Sequence, residues 1–255
     1  MLMLISPAKT LDYETPATTA SYSLPDYLDK SAELIAVVKK KSYRDLMKLM
    51  QTSQKIAELS VKRFSQWQLP FNPNNAKQAV LAFKGDVYTG LDATALAEDR
   101  LEYAQSHLRI ISGLYGLLRP LDLMQPYRLE MGLRLKTNKG RTLYQFWGEQ
   151  ITDALNSLLE KQDEPVLINL ASNEYFKSIQ KKNLEGRLIT PEFKDWKNGK
   201  YKMIGFFSKK ARGMMVRYAI DNNIQKAEEL QNFDYDAYRF NHELSHAGKW
   251  VFCRG

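Results

Sequence analysis

Cysteine and histidine are scarce in this chain of 255 residues, which holds one of the first and three of the second. The lone cysteine, Cys253, excludes an intramolecular disulfide and gives no reason to place the chain in an oxidising compartment. So few soft or imidazole ligands, without clustered spacing, leave little from which to build a transition-metal centre. No apolar run approaches the ~20 residues a membrane span requires. Met1-Leu2-Met3-Leu4-Ile5 is too short for a secretory leader and is followed at once by Ser6-Pro7-Ala8-Lys9. Also missing are a Gly-rich phosphate loop ending in Gly-Lys-Ser/Thr, a dinucleotide fingerprint, paired zinc-finger cysteines, internal repeats and low-complexity tracts. These absences lead us to expect a cytoplasmic protein without a metal or cofactor that does not enter a membrane.

What is present is basic charge. Thirty-seven Lys and Arg against 29 Asp and Glu give a net charge of +8 and a pI near 9.3. That balance favours a polyanionic partner, nucleic acid or a phosphorylated substrate, although many basic proteins bind nothing acidic and the placement of the charges matters more. Hydrophobic content of 44% and aromatic content of 11% are those of a folded globular chain. The length suits one large core, and we expect a single domain over residues 1–255.

Hydrophobic periodicity and breakers suggest mixed α/β structure. Met1 to Ile5 reads as a buried strand ended by Ser6-Pro7. Leu24-Pro25-Asp26 opens a helix to about Val38, with Leu28, Ala32, Ile35 and Ala36 on its apolar face. Lys39-Lys40-Lys41 suits the negative end of its dipole. Tyr43 to Met50 and Ser53 to Trp67 read as helices, the second with Ile56, Ala57, Leu59 and Phe64 facing inward, and Leu69 to Asn75 breaks the helical region. Gln78 to Phe83 reads as a buried strand, Ala95 to Ile110 as a helix, Leu143 to Leu159 as a helix and Pro165 to Leu170 as a strand. Ser172 or Asn173 suits a helix cap. Asn198-Gly199 joins Arg187–Trp196 and Lys200–Phe207 as a hairpin. Ser208 then caps a helix carrying Lys209, Lys210, Arg212 and Arg217, where free amides beside cations would suit a phosphate.

Chemistry concentrates where strands give way to loops. Ser6 to Thr10 sets two hydroxyls and Lys9 within five residues. Lys84-Gly85-Asp86 follows an expected strand directly, a common place for ligand groups in α/β folds. Ser106 to Arg134 is the densest stretch. Gly113 and Gly116 bracket an apolar pair, Arg119 and Asp122 follow, and Arg128, Glu130 and Arg134 complete it. Glycines beside guanidinium groups are what backbone amides need to approach a phosphate. His242-Glu243-Leu244-Ser245-His246 matches the zinc-protease pattern, but Tyr238, Phe240, Trp250 and Phe252 alternate around it as in a terminal hairpin. The nine residues that follow contain no His, Asp or Glu. We expect no metal site there.

Several segments together resemble one family: Leu4 to Asp12, Ala82 to Tyr88, Ser112 to Asp122, Tyr127 to Gly132, Asn169 to Ser172 and Lys209 to Gly213. They are similar to the bacterial YaaA family of peroxide-stress proteins, over essentially the whole chain. The resemblance implies a cytoplasmic protein that limits oxidative damage, in part by lowering free iron, and binds double-stranded DNA. It implies a single α/β body unlike the common superfolds, with a basic cleft and a helix-hairpin-helix element. That element maps onto Leu101 to Ile111 as first helix and Ser112 to Gly116 as hairpin, although Pro120 interrupts a second helix.

Two functions follow. In the first the chain, as a monomer, docks on DNA phosphates through Lys9, Gly113, Gly116, Arg119, Arg128, Lys209, Lys210 and Arg212. In the second it is an enzyme acting on a phosphorylated or nucleotide-like small molecule. Lys84, Asp86, Asp122 and Glu130 are then the catalytic candidates, since phosphate docking does not ask for carboxylates. Direct iron chelation is weakly supported, and an effect on iron would be indirect.

Overall fold

Leu2–Ile5 is buried along its whole length and forms the centre of a mostly parallel sheet. A computed structural model describes all 255 residues. The first strand pairs in parallel with Leu108–Ser112 on one side and with Val166–Asn169 on the other. Beyond Val166–Asn169 the sheet continues in parallel through Arg187–Lys197 to Lys249–Arg254. Short antiparallel strands close it: Gly116–Leu118 on one edge, Arg239–Phe240 on the other, and Lys200–Lys202 folded back on Arg187–Lys197. Strands buried on both faces carry continuous apolar runs, which is why Leu-Met-Leu-Ile and Val-Leu-Ile were legible as strands. No helix is long and apolar enough to cross a membrane.

The mixed α/β expectation holds, and several elements differ in detail. Gln78 to Phe83 is not a strand. Ala79–Ala82 forms one helical turn between two-residue ribbons, with Lys77–Gln78 paired to Leu123–Met124 and Phe83–Lys84 paired to Thr10–Leu11. A short apolar run fits either state, and here all four residues of the turn are buried. The helix expected over 95–110 ends at His107, because Leu108–Ser112 finds a strand on each side. Pairing on both flanks overrides local helical pattern.

Helix faces also shift. Helix Leu28–Val38 buries Ser31, Leu34, Ile35 and Val38 and leaves Ala36 exposed. Helix Gln54–Gln66 buries Ala57, Ser60 and Phe64, with Leu59 exposed. The helix expected from Leu143 to Leu159 breaks at Gly148, giving Leu143–Trp147 and Gln150–Leu159. The break at 69–75 is pinned, not loose: Phe71 lies edge-on between Trp67 and Tyr115, at 5.4 and 6.1 Å. The C-terminal hairpin forms as expected, and His242 to His246 lies in its turns.

Helix Gly205–Asp221 crosses the short helix Asp86–Leu91 with backbones in contact. A Cβ on Gly213 would fall 1.8 Å from the Val87 carbonyl oxygen, and one on Gly90 would fall 2.1 Å from that of Lys210. Only glycine permits this approach. Gly213→Ala is expected to destabilise the fold by about 1–3 kcal/mol through overpacking. Gly205→Ala, with nothing near its Cβ, should leave the melting temperature unchanged or raise it. Thermal denaturation of the two variants compares them directly.

His107 stacks on Tyr103 with ring centroids 4.1 Å apart, and its Nδ1 hydrogen-bonds the Tyr103 carbonyl at 3.0 Å. Burial pulls its pKa below 6.5, partly opposed by that hydrogen bond. The unfolded chain therefore takes up this proton first as pH falls. The stability tied to His107 is complete above pH ~6.5 and is lost as pH drops toward the lower folded-state pKa. Denaturant unfolding at pH 7 and pH 5 should show a smaller pH-dependent loss in His107→Gln than in the parent chain.

Candidate functional site

Numbered among themselves in chain order, the five parallel strands lie in the order 2-1-3-4-5. The direction of build-up therefore reverses between Leu2–Ile5 and Val166–Asn169, whose carboxyl ends lie side by side. In open α/β sheets that reversal opens a crevice for ligands. Two loops leave it, and they are stitched together. The Ser172 N–H donates to Ser6 Oγ at 2.8 Å, and Ser6 Oγ donates to Ser172 Oγ at 3.3 Å. The Tyr88 hydroxyl holds the Ser6 carbonyl at 3.0 Å.

Lys9 emerges from the first of these loops, next to Thr10, which pairs with Lys84. Both lysines are open to solvent, with side chains 65% and 68% exposed. Asp12 follows and is locked in a turn: its Oδ1 accepts the Glu14 and Thr15 N–H groups at 3.1 and 2.9 Å, and its Oδ2 accepts the Thr15 hydroxyl at 2.9 Å. The Thr15 N–H and then the Thr15 hydroxyl hold the Asp12 pKa down to about 2. Lys84 Nζ stands 3.7 Å from its Oδ2. Lys77 donates to the Asp12 and Thr15 carbonyls at 2.9 and 2.8 Å, so its ammonium is committed to the scaffold.

The extended segment through Tyr127, Arg128 and Glu130 crosses over Gly113, where an added Cβ would meet the Leu129 carbonyl at 2.1 Å. Glu130 is 7% exposed. Its Oε1 lies 3.0 Å from Arg128 Nη2 and 3.4 Å from Lys9 Nζ. Its Oε2, and Arg128 Nε, are buried without a hydrogen-bond partner. Beside them is a void of about 10 Å³ between Pro7, Tyr127 and Tyr175, room for a single water. Lys9 and Glu130 also border an open depression of about 690 Å³, with Lys48, Arg134 and Glu174 on its rim.

A second concave region lies along the Thr10 to Ala20 segment. Depressions of about 590 and 480 Å³ share Tyr13, Glu14, Thr15, Arg63, Gln66 and Pro126 and form one cleft. Its cations are Lys62, Arg63, Lys77 and Lys84. Burial first, and Arg128 in addition, lower the Arg63 pKa.

Of the residues singled out in sequence, Lys9, Arg128 and Glu130 come together, while Lys84 lies on the separate cleft beside Asp12. Asp86 begins helix Asp86–Leu91 two residues after Lys84. Lys209, Lys210 and Arg212 lie on helix Gly205–Asp221, which packs against Asp86–Leu91. Ser208 does not cap that helix. The helix begins at Gly205, so Ser208 is buried within it and the free amides do not lie beside Lys209.

The mapping of a helix-hairpin-helix onto Leu101 to Gly116 is overturned. Leu108–Ser112 and Gly116–Leu118 form a buried β-hairpin. The amides of Leu114 and Tyr115 donate to Ser112 Oγ at 3.2 and 2.9 Å, and Trp147 Nε1 donates to the Gly113 carbonyl at 3.0 Å. Gly116 takes φ +72° with the Trp147 ring against it. Both glycines are buried and serve chain-to-chain contact. Arg119 is also committed elsewhere: its amide and Nε donate to Asp122 at 2.7 and 3.0 Å, and its Nη2 donates to the Leu24 carbonyl and to Asp26 at 2.6 and 3.1 Å. Asp122 is fully buried and also accepts the Ser23 hydroxyl at 2.6 Å. Burial raises its pKa against the pull of these donors. This pair ties the Ser23–Asp26 segment to the 119–122 corner.

Sequence reasoning missed Arg63, Lys62 and the Asp12 turn. The Asp-x-x-Thr spacing of 12–15 was the available signal for the turn. Nothing local marks Arg63, which is brought to the cleft by tertiary packing of its helix.

Residues 1–244 match the family model described as peroxide stress protein YaaA. UPF0246 proteins of Azoarcus sp. (strain BH72) and Shewanella pealeana are each 57% identical to this chain, with 100% of it and 99% of each of them covered. The UPF0246 protein of Hahella chejuensis is 54% identical at the same coverage. The chain therefore belongs to the YaaA family of peroxide stress proteins.

Proposed function

We propose that this peroxide stress protein works in the cytoplasm, as a monomer, by binding double-stranded DNA along its basic cleft. One observation carries the reading: the joined depressions of about 590 and 480 Å³ present Lys62, Arg63 and Lys84 on an open surface, with the solvent-exposed Lys9, whose ammonium stands 3.4 Å from Glu130, close by. Flexible, solvated cations along an open cleft suit backbone phosphates, which are read by charge and not by base sequence. Lys209 and Lys210 add charge on the helix packed behind Asp86. The contribution to limiting iron-dependent damage is indirect in this reading, since no three His, Cys, Asp or Glu side chains stand together as a chelating set.

Four cleft cations predict a log–log salt slope of about −3.6 for duplex binding. Lys62→Ala with Lys84→Ala should flatten it by about 2. Fluorescence anisotropy with a labelled duplex across a salt series measures both. Affinity that stays flat with salt, or a slope unmoved by the double variant, removes the cleft from the account.

The orphaned Glu130 Oε2 and Arg128 Nε favour a second reading. A buried acceptor beside a buried donor, with Glu130 also lining a depression rimmed by Lys9, Lys48 and Arg134, suits a small phosphorylated or nucleotide-like substrate. The cations take its phosphate and Glu130 takes a donor or a proton. Nucleoside and sugar phosphates should then raise the melting temperature of the parent chain and not that of Glu130→Gln, while duplex affinity stays within about twofold. A panel that leaves the parent's melting temperature unmoved ends this reading.

A further inference from the structure

Nine large hydrophobic side chains are substantially exposed, and four of them fall within 196–207: Trp196 at 53%, Met203 at 47%, Phe206 at 59% and Phe207 at 38%. The same stretch is densely basic. Residues 196–210 contain Lys197, Lys200, Lys202, Lys209 and Lys210 and no Asp or Glu, and none of the five lysines is in an ion pair within 4.0 Å. The rings belong to one surface. Trp196 meets Tyr201 edge-on at 4.9 Å across the hairpin, and the Tyr201 hydroxyl donates to the Gly255 carbonyl at 3.3 Å. Next to Gly255, the Arg254 guanidinium lies over Phe207 at 4.5 Å, and Phe207 meets Phe206 at 5.6 Å.

We propose that the 196–202 hairpin and the first turn of helix Gly205–Asp221 form a stacking platform for single-stranded nucleic acid. Exposed ring faces take unpaired bases, and unpaired lysines between them take the intervening phosphates, the combination that binds single strands without sequence preference. The Arg254 guanidinium, paired with Asp195 and Asp236 and packed against Tyr238 as well as Phe207, holds the Phe207 ring in place. An anionic lipid surface fits less well. Interfacial helices carry one continuous apolar face, whereas apolar exposure on Gly205–Asp221 is confined to Phe206 and Phe207. A protein partner fits less well too, because lysine is depleted in interface cores. None of residues 196–210 lines the basic cleft, and the platform, which shares only Lys209 and Lys210 with the duplex reading, does not rest on it.

Trp196 is the one exposed tryptophan, since Trp67, Trp147 and Trp250 are buried. Oligothymidylate of about 12 nucleotides should therefore quench tryptophan fluorescence on titration, with a log–log salt slope no steeper than about −3.5 for five lysines. Trp196→Ala with Phe206→Ala, read by the anisotropy of a labelled oligothymidylate because the reporter tryptophan is removed, should weaken binding by at least about tenfold. Lys197→Ala, Lys200→Ala and Lys202→Ala together should flatten the slope by about 2. Every substituted side chain is exposed or at the hairpin tip, so melting curves should match the parent's. Duplex affinity at the cleft should also be unchanged, which separates failure of the platform from failure of the cleft. The proposal is overturned if the aromatic double variant binds oligothymidylate as tightly as the parent. It is equally overturned if the parent binds phosphatidylserine vesicles, or itself, but not oligothymidylate.

Discussion

The parallel pairing of Leu2–Ile5 with a strand on each side is the constraint on which the rest depends. Those four residues are almost wholly shielded from solvent, so their amides and carbonyls have no recourse to water and must be satisfied by Leu108–Ser112 and Val166–Asn169. Those partners are more than a hundred residues away in sequence. Once both ladders form, the carboxyl ends of the first and third parallel strands are forced together, and with them the loops that begin at Ser6 and Leu170. The Ser6–Ser172 contacts secure a junction that the sheet order has already created. The hydrophobic cluster of 70 buried residues, running from Met1 to Phe252, forms around the same strands.

Two Arg–carboxylate pairs show how similar composition reaches different ends. Asp122 accepts from Ser23, from the Arg119 amide and from the Arg119 guanidinium, and Arg119 is further held by Leu24 and Asp26. A buried carboxylate so fully partnered offsets part of its desolvation and fixes a corner of the chain. Glu130 is comparably buried but uses one oxygen on Arg128 and Lys9 and leaves the other without a partner, as Arg128 leaves its Nε. Incomplete satisfaction beside a void sized for one water sets the Glu130–Arg128 pair apart from the fully partnered Asp122 corner. Asp122 and Glu130 looked alike in sequence. Only their hydrogen-bond partners separate them.

Much of the fold was legible because the informative patterns were local. Leu-Met-Leu-Ile before Ser-Pro, Val-Leu-Ile before polar residues, and Asn198-Gly199 between strands each reflect a backbone requirement met within a few residues. What failed was decided at a distance. Leu108-Arg109-Ile110-Ile111 continues a helical pattern and becomes a strand because two neighbours are waiting for it. Ala79-Val80-Leu81-Ala82 is short and apolar enough for either state. Among the site residues, Lys9 was recognisable at a loop that follows a strand, Lys84 was singled out on an expected strand that is instead a helical turn and a two-residue ribbon, and Arg63 reaches the cleft only by the packing of its helix.

Gly113 and Gly116 are the most instructive misreading. Glycine beside arginine is the signature of backbone brought close to something, and that inference was sound. The object approached was the protein itself. Gly113 lies under the Leu129 carbonyl and Gly116 against Trp147, while Ser112 Oγ takes the turn's amides. A hydroxyl placed one residue before the first glycine supplies internally the acceptor that a phosphate would otherwise provide. The consequence for nucleic-acid contact is physical. With these amides occupied and buried, the proposed phosphate contacts rest on side chains, chiefly Lys62, Arg63 and Lys84 on open surface. Binding built from flexible lysines is governed by counterion release and tolerates sequence, so any selectivity between duplex and single strand must come from exposed rings, as at Trp196 and Phe206, and not from the backbone.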